Sequence, residues 1–341
     1  MTLGITMVIA IFSYVIITYS SLPQPGTSIT SFTMDYHPDE GVWVVAGKHY
    51  FQKFFLEKDH SKDTWEDSKF GDFGTRNPVL GKYLYGAWLF ADGSVSRETT
   101  FTAYDFKNPD DWVNFWDLRP DDKYLISGRK LAKWMGVLCT LVLFLLIREL
   151  TNSWLLGMVT ALLFVLQPIT FILSSRVMMD IPVLFFSLVA LLAAAKGYRE
   201  FKSRKLTDLY WQLALIGLLY GLAMQIKLNS LLVCFTLLGW LVIQILWEYK
   251  VRVFPVTRFF KDSIKLLAEQ RVLKLLIIGS VLMVSAILVV FISLNPFLYH
   301  NTLENLYEMF NYGETVTDAW MPGESAINDT WSKKVKAFIS V

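Results

Sequence analysis

The chain has 341 residues, 54% of them hydrophobic and 18% charged, with a formal net charge of +2. That composition, with its positive mean hydropathy, excludes an ordinary soluble globular domain and places the chain among polytopic membrane proteins. The net charge says nothing of partners, but the lack of a Walker loop, a strand-borne glycine fingerprint or a basic-aromatic sheet argues against nucleic acid and against a soluble nucleotide-sugar fold.

Seven segments approach or exceed the roughly 20 apolar residues that cross a bilayer: 3–20, 130–147, 154–174, 178–195, 211–226, 228–247 and 273–294. The first, "MTLGITMVIAIFSYVIITY", has no basic n-region, and the "SSLPQPG" after it is a poor cleavage site, so it is expected to stay as an anchor. Lys and Arg crowd the segments 196–205 and 248–274, and Arg148 sits in the short 148–153. The positive-inside rule puts all three in the cytoplasm. The organisation expected is a first transmembrane helix (1–21), an exterior loop with interfacial helices and catalytic carboxylates (22–128), a six-helix transmembrane region (129–294), and the start of a second exterior segment (295–341).

Within the exterior loop, "MDYHPDEGVWVVAGKHYF" (34–51) puts Asp39 and Glu40 directly after Pro38. Proline then acids is a good helix N-terminus, the carboxylates offsetting the dipole. The same carboxylates, held at the membrane surface by a helix anchored through Trp43, Tyr50 and Phe54, suit a general base toward a hydroxyl or amide. Both readings stand together. Further on, "NPVLGKYLYGAWLFADG" (77–93) is apolar for about 13 residues, near 20 Å of helix against a hydrocarbon core of about 30 Å. It is expected to lie in the interface without crossing, with Tyr83, Tyr85 and Trp88 as anchors and Lys82 just inside.

"SGRKLAKWMG" places Arg129, Lys130 and Lys133 at the outer mouth of the second span. Basic residues there suit snorkelling to lipid phosphates, or binding the phosphate of a lipid-linked substrate. In "SSRVMMDIP", Arg176 and Asp180 are four apart across a turn and able to pair and pin the hairpin. They share the outer side with Asp39, as does Lys227, where the span 211–226 breaks. Gly217 and Gly221 form a small-xxx-small pair suited to helix packing. Cys139 and Cys234 sit in apolar runs as small hydrophobes. The four histidines, His37, His49, His60 and His300, match no ligand spacing, so no metal is assigned, although a divalent ion with Glu40 is conceivable. "NDT" at 328–330 fits a glycosylation sequon.

Taken in order, these pieces resemble the GT-C fold glycosyltransferases of the protein O-mannosyltransferase superfamily and the related bacterial and archaeal lipid-linked-sugar transferases. Asp39-Glu40 follows the first span, and "NPVLGKYL" resembles the family's His-Pro-Pro-Leu-Gly/Ala-Lys segment, with Asn77 and Val79 standing in for the His and second Pro. "SGRKLAKWMG" resembles its Arg-bearing approach to the next span. "SSRVMMDIPVLFF" resembles its Ser-Arg-x-x-x-Leu-Asp turn, and "YGLAMQIKLNSLL" its Gly-Leu-Ala-x-x-x-Lys helix.

The resemblance implies Asp39 as catalytic base on an acceptor hydroxyl, with Glu40 shaping the same site. It implies Arg129 near the lipid phosphate and Lys82 lining that pocket. Arg176, Asp180 and Lys227 are the remaining substrate-binding candidates. The donor implied is a sugar on a polyprenyl or dolichyl phosphate, moved with inversion to a protein, glycan or lipid hydroxyl, no cofactor being required. A non-catalytic accessory relative, or less readily a transporter, are the alternatives. The family usually carries more spans after the loop at "LNPFLYHN", so a truncated piece or a short relative is expected. A prokaryotic plasma membrane is preferred to the endoplasmic reticulum, and nothing in the sequence speaks to oligomeric state.

Overall fold

The computed structural model describes residues 38–65, 78–102, 120–199, 205–228 and 274–309, with the single positions 13, 16, 230 and 239. Apart from those single positions and residue 228, the expected spans 3–20 and 228–247 lie outside the described residues, as do His37, Cys234 and the sequon. Among the described residues the fold is helical, with no strand.

Helix α1 (Pro38–Phe51) opens on a proline, whose missing N–H is no loss at a first helical position. Its acids, Asp39 and Glu40, fall in the first turn and Lys48 and His49 in the last, the ends that the dipole favours for each sign. It runs on into a π-helical turn, Gln52–Glu57, which Lys58 ends in the left-handed region. The short α2 (Lys62–Trp65) sets Trp65 on Tyr50, ring centroids 4.9 Å apart.

Helix α3 (Leu80–Ala91) packs against α1. Their backbones cross at Gly47 and Gly86, where a Cβ on Gly86 would lie 2.2 Å from the Gly47 carbonyl oxygen and 2.4 Å from Phe51 Cβ. Only glycine allows that approach. Gly86→Ala is therefore expected to destabilise the protein by about 1–3 kcal/mol through overpacking, measured as a lowered Tm of the purified protein.

This pairing corrects the expected interfacial anchors. Tyr83, Tyr85 and Tyr50 are buried in protein instead of facing lipid headgroups, because α1 covers α3 and α2 covers Tyr50. Trp43, Phe54 and Trp88 are half-buried.

Helix α4 (Asp122–Thr151) has 30 residues, about 45 Å of helix. It is therefore longer than a hydrocarbon core about 30 Å thick. Asn152 ends it in the left-handed conformation, which asparagine tolerates. Ser153 then caps α5 (Trp154–Leu166) by accepting from the Leu156 N–H, so two residues turn the chain back on itself. The expected span 154–174 is in fact broken: α5 and α6 (Pro168–Ser174) meet at 68°. The cause is Pro168, which keeps Gln167 out of the helical region, at ψ 122°.

Helices α7 (Asp180–Arg199) and α8 (Leu206–Met224) are, with α4, long and apolar enough to cross a membrane, and the bent pair makes a fourth candidate. A π-helical turn, Leu275–Gly279, leads into α9 (Ser280–Ser293), so helical backbone runs through 274–293. A 3-10 turn (Pro296–Leu298) and α10 (residues 302–309) follow.

Packing runs as a series: α5 on α4, α4 on α7, α7 on α8, α8 on α9. Inside a bilayer the hydrophobic effect does not drive such contacts, so close fit must. Gly217 lies against Met283 and Ala286, and Gly221 against Ile287 and Val290, so the small-xxx-small pair does pack helices. The contacts advance together along both chains, so α8 and α9 run parallel, the sense that the expected topology assigns to spans 211–226 and 273–294. The protein is an integral membrane protein.

Candidate active site

The polar groups gather where the α1 N-terminus, the first turns of α4, the 175–179 turn and the C-terminal ends of α8 and α9 meet. Glu40, the third residue of α1, has no exposed surface, and Arg129 on α4 is 4% exposed. The guanidinium grips the carboxylate with both prongs: Arg129 Nε donates to Glu40 Oε2 and Nη2 to Oε1, each at 2.6 Å. The Val177 N–H also donates to Oε2, at 3.0 Å. One buried carboxylate thus ties α1, α4 and the turn together. Planar two-pronged pairing is what an Arg fork does and a Lys cannot.

The turn is fixed on its other side as well. Tyr85 Oη donates to the Met178 carbonyl at 2.8 Å, and a Cβ on Gly128 would come within 2.7 Å of Val177 Cγ2. Helix α4 therefore approaches the turn as closely as its backbone permits.

Helical spacing separates the two neighbouring carboxylates. Asp39 shares a face of α1 with Trp43 and Tyr50, whereas Glu40, about 100° round, points to α4. Asp39 is half-buried, in contrast to Glu40. Lys82 reaches the Asp39 face from α3, its Nζ 6.0 Å from the Trp43 ring centroid and 5.5 Å from that of Tyr50. The ammonium has no exposed surface, and burial holds its pKa well below the usual lysine range. Aromatic faces recover part of what a cation loses on leaving water.

The remaining candidates lie beyond the turn. Asp180 takes its ion pair across helices, from Lys227 Nζ at 2.7 Å, instead of from Arg176 on its own turn. Asp180 is the first residue of α7 and Lys227 follows the end of α8, and packing of these two helices brings the charges together. Their side chains are 33% and 41% exposed, so this pair, unlike Glu40–Arg129, meets solvent. Arg176 sits in the same turn, half-buried.

Gln225, fully buried, is the residue that the sequence reading missed. Its side-chain carbonyl accepts from the Val79 N–H at 3.3 Å, its backbone carbonyl accepts from the Leu80 N–H at 2.8 Å, and its amide nitrogen donates to the Phe291 carbonyl. It fastens the start of α3 to the ends of α8 and α9, capping donors that no side chain of α3 itself caps. Its signal was there to read: one amide in an otherwise apolar helix end.

His49, near the end of α1, is pushed down to a pKa of about 4 by burial, with the Lys53 and Lys48 charges adding to it. It stays neutral when folded but would protonate in the unfolded chain below about pH 6.5. Between about pH 4 and 6.5 the unfolded state therefore binds more protons, and stability falls as pH falls through that window. Acidifying from pH 7 to 5 is expected to cost about 2 kcal/mol from this group, and His49→Phe should flatten that part of the Tm–pH curve. Among the described residues no group of three or more His, Cys, Asp or Glu is placed to hold a metal ion.

The structure thus joins Glu40 to Arg129 and Asp180 to Lys227, and sets Lys82 on the Asp39 face. A family model described as dolichyl-phosphate-mannose-protein mannosyltransferase matches residues 50–304, a range that holds Lys82, Arg129, Arg176, Asp180 and Lys227 and stops short of Asp39 and Glu40. No sequence among curated proteins matches significantly. Among solved structures, the chain is similar to one in the S. cerevisiae protein O-mannosyltransferase Pmt1-Pmt2 complex bound to the sugar donor, at 14% identity and a TM-score of 0.54. That likeness, which concerns the fold, covers 89% of this chain and 34% of the yeast chain, so this chain spans about a third of that relative's length.

Proposed function

Because the chain belongs to the dolichyl-phosphate-mannose-protein mannosyltransferase family, we propose that it moves mannose or a similar hexose from a polyprenyl or dolichyl phosphate to an acceptor hydroxyl, a protein Ser or Thr before a glycan or lipid. The observation that carries this reading is the division of labour between neighbouring carboxylates. Glu40 is engaged in a buried bidentate pair, while Asp39 is half-buried on the adjacent face of the same first turn, the face that Lys82 approaches, and is the carboxylate assigned as base.

In the step proposed, Asp39 takes the proton of the acceptor hydroxyl as its oxygen attacks the anomeric carbon. The bond from that carbon to the phosphate oxygen breaks with its electron pair on the phosphate, and the anomeric centre inverts. A phosphate leaving group needs cations more than an acid. Lys227, partly exposed and able to exchange Asp180 for a phosphate, is assigned that role with Arg176; no metal or other cofactor is invoked. Arg129 acts through Glu40, as the clamp that positions the first turn of α1, and Lys82 flanks the Asp39 face.

The exterior face is supported by charge. Arg148, stacked 4.0 Å over Trp154, and Arg199, paired with Glu149 at 3.3 Å, collect at the end of the helices opposite the site.

The test is transfer itself. Protein reconstituted in liposomes is given radiolabelled polyprenyl-phosphate mannose and a Ser/Thr-rich acceptor peptide, and labelled peptide is expected. Donor binding with no labelled product would instead identify an accessory relative, and neither binding nor transfer would sink the reading.

A further inference from the structure

Three helix ends meet on one buried side chain. Gln225, the residue at which α8 ends, accepts from the Val79 and Leu80 N–H groups at the start of α3 and donates to the Phe291 carbonyl in the last turn of α9. These are groups that helix ends leave unpaired. A continuing α9 would bring the Asn295 N–H to the Phe291 carbonyl, but that N–H goes to the Ile292 carbonyl at 3.1 Å. Gln225 has no exposed surface, and an orphaned donor or acceptor at such depth is costly.

The same junction reaches the charges beyond it. Lys82 is the third residue of α3, and Lys227 follows Gln225 by two. At Gly81, beside Lys82, a Cβ would stand 2.1 Å from Met179 Sδ and 3.3 Å from Ile226 Cγ2. Met179 and Ile226 are buried, and each immediately precedes a member of the Asp180–Lys227 pair. Both stretches of backbone that carry the pair are therefore seated on the first turn of α3, which Gln225 fastens.

We propose that Gln225 is a positioning residue for the donor phosphate, which rests on the reading of Lys227 as a phosphate-binding cation. When the ammonium leaves Asp180 it gives up the 2.7 Å contact that fixed it. The backbone beneath it then sets where it reaches. That backbone is itself folded, the Lys227 N–H donating to the Ala223 carbonyl at 3.2 Å and the Lys227 carbonyl accepting from the Ser230 N–H at 3.0 Å. Gln225 holds it to α3, and so keeps Lys227 in register with Lys82 and the Asp39 face. An apolar residue would fill the same space but leave the Val79 N–H and the Phe291 carbonyl unpaired, and the start of α3 free to shift against the end of α8.

The experiment reads binding, so a chain that binds donor lipid without transferring sugar still answers it. Affinities for undecaprenyl phosphate and for undecaprenol are measured on the full chain in nanodiscs, for the unsubstituted protein, Gln225→Met, Lys227→Ala and the double variant. Gln225→Met is expected to weaken phosphate binding by about 10-fold, the scale on which outer partners of a ligating group act in metal sites, and to leave undecaprenol binding as it was. In the Lys227→Ala background it should cost nothing further, because residues that act through one another are not additive. A merely structural role would weaken both lipids, or weaken the phosphate equally in both backgrounds; either result overturns the proposal, as does an unchanged phosphate affinity in Gln225→Met. An unchanged affinity in Lys227→Ala would remove the phosphate reading of Lys227 and the proposal with it. Gln225→Asn, too short to reach both Val79 and Phe291, gives the same comparison should Gln225→Met fail to fold.

Discussion

Arg129→Ala is expected to destabilise the protein by about 3–5 kcal/mol, the usual consequence of removing one partner of a buried ion pair. Glu40, which has no exposed surface, would lose both guanidinium contacts. Arg129→Lys should recover little, because a point charge cannot make the two 2.6 Å contacts. A shape-matched apolar pair, Glu40→Leu with Arg129→Met, should regain most of the loss, since a buried pair is worth little over well-packed hydrophobes. Tm of the detergent-purified variants checks the order. An unchanged Tm in Arg129→Ala, with donor binding lost, would return the guanidinium to the lipid phosphate.

Much of this arrangement can be read from residue order. The apolar runs locate α4, α7, α8 and α9, and Gly217 and Gly221 mark the α8–α9 contact. Pro168 inside an apolar run was a visible break, because the residue before a proline avoids the helical region, though the bend it sets depends on packing.

What the sequence left open was partnership. Glu40 and Arg129 are 89 residues apart, and local spacing offered Asp180 its neighbour Arg176 when helix packing supplied Lys227. Likewise, a 12-residue apolar helix with two tyrosines looks the same whether it lies on lipid or under another helix. Only the Gly47–Gly86 crossing, invisible as a pair at that separation, decides that α3 is covered.

Asp39→Asn is expected to separate chemistry from structure. Asparagine keeps the shape of the first turn of α1, and the lost dipole interaction is about 0.3–1 kcal/mol, so folding and donor binding should survive. What goes is the base. A positioned carboxylate contributes on the order of 10²–10⁴-fold to a proton-transfer-limited step. Glu40→Gln should do the reverse, lowering Tm first, because a neutral amide presents only one acceptor oxygen to the Arg129 fork.

The most direct test is the single-turnover rate of sugar transfer from saturating polyprenyl-phosphate mannose by folded Asp39→Asn protein in nanodiscs. A fall of at least about 100-fold with donor binding intact is the predicted result, and a rate within a few-fold of the unsubstituted protein would contradict it.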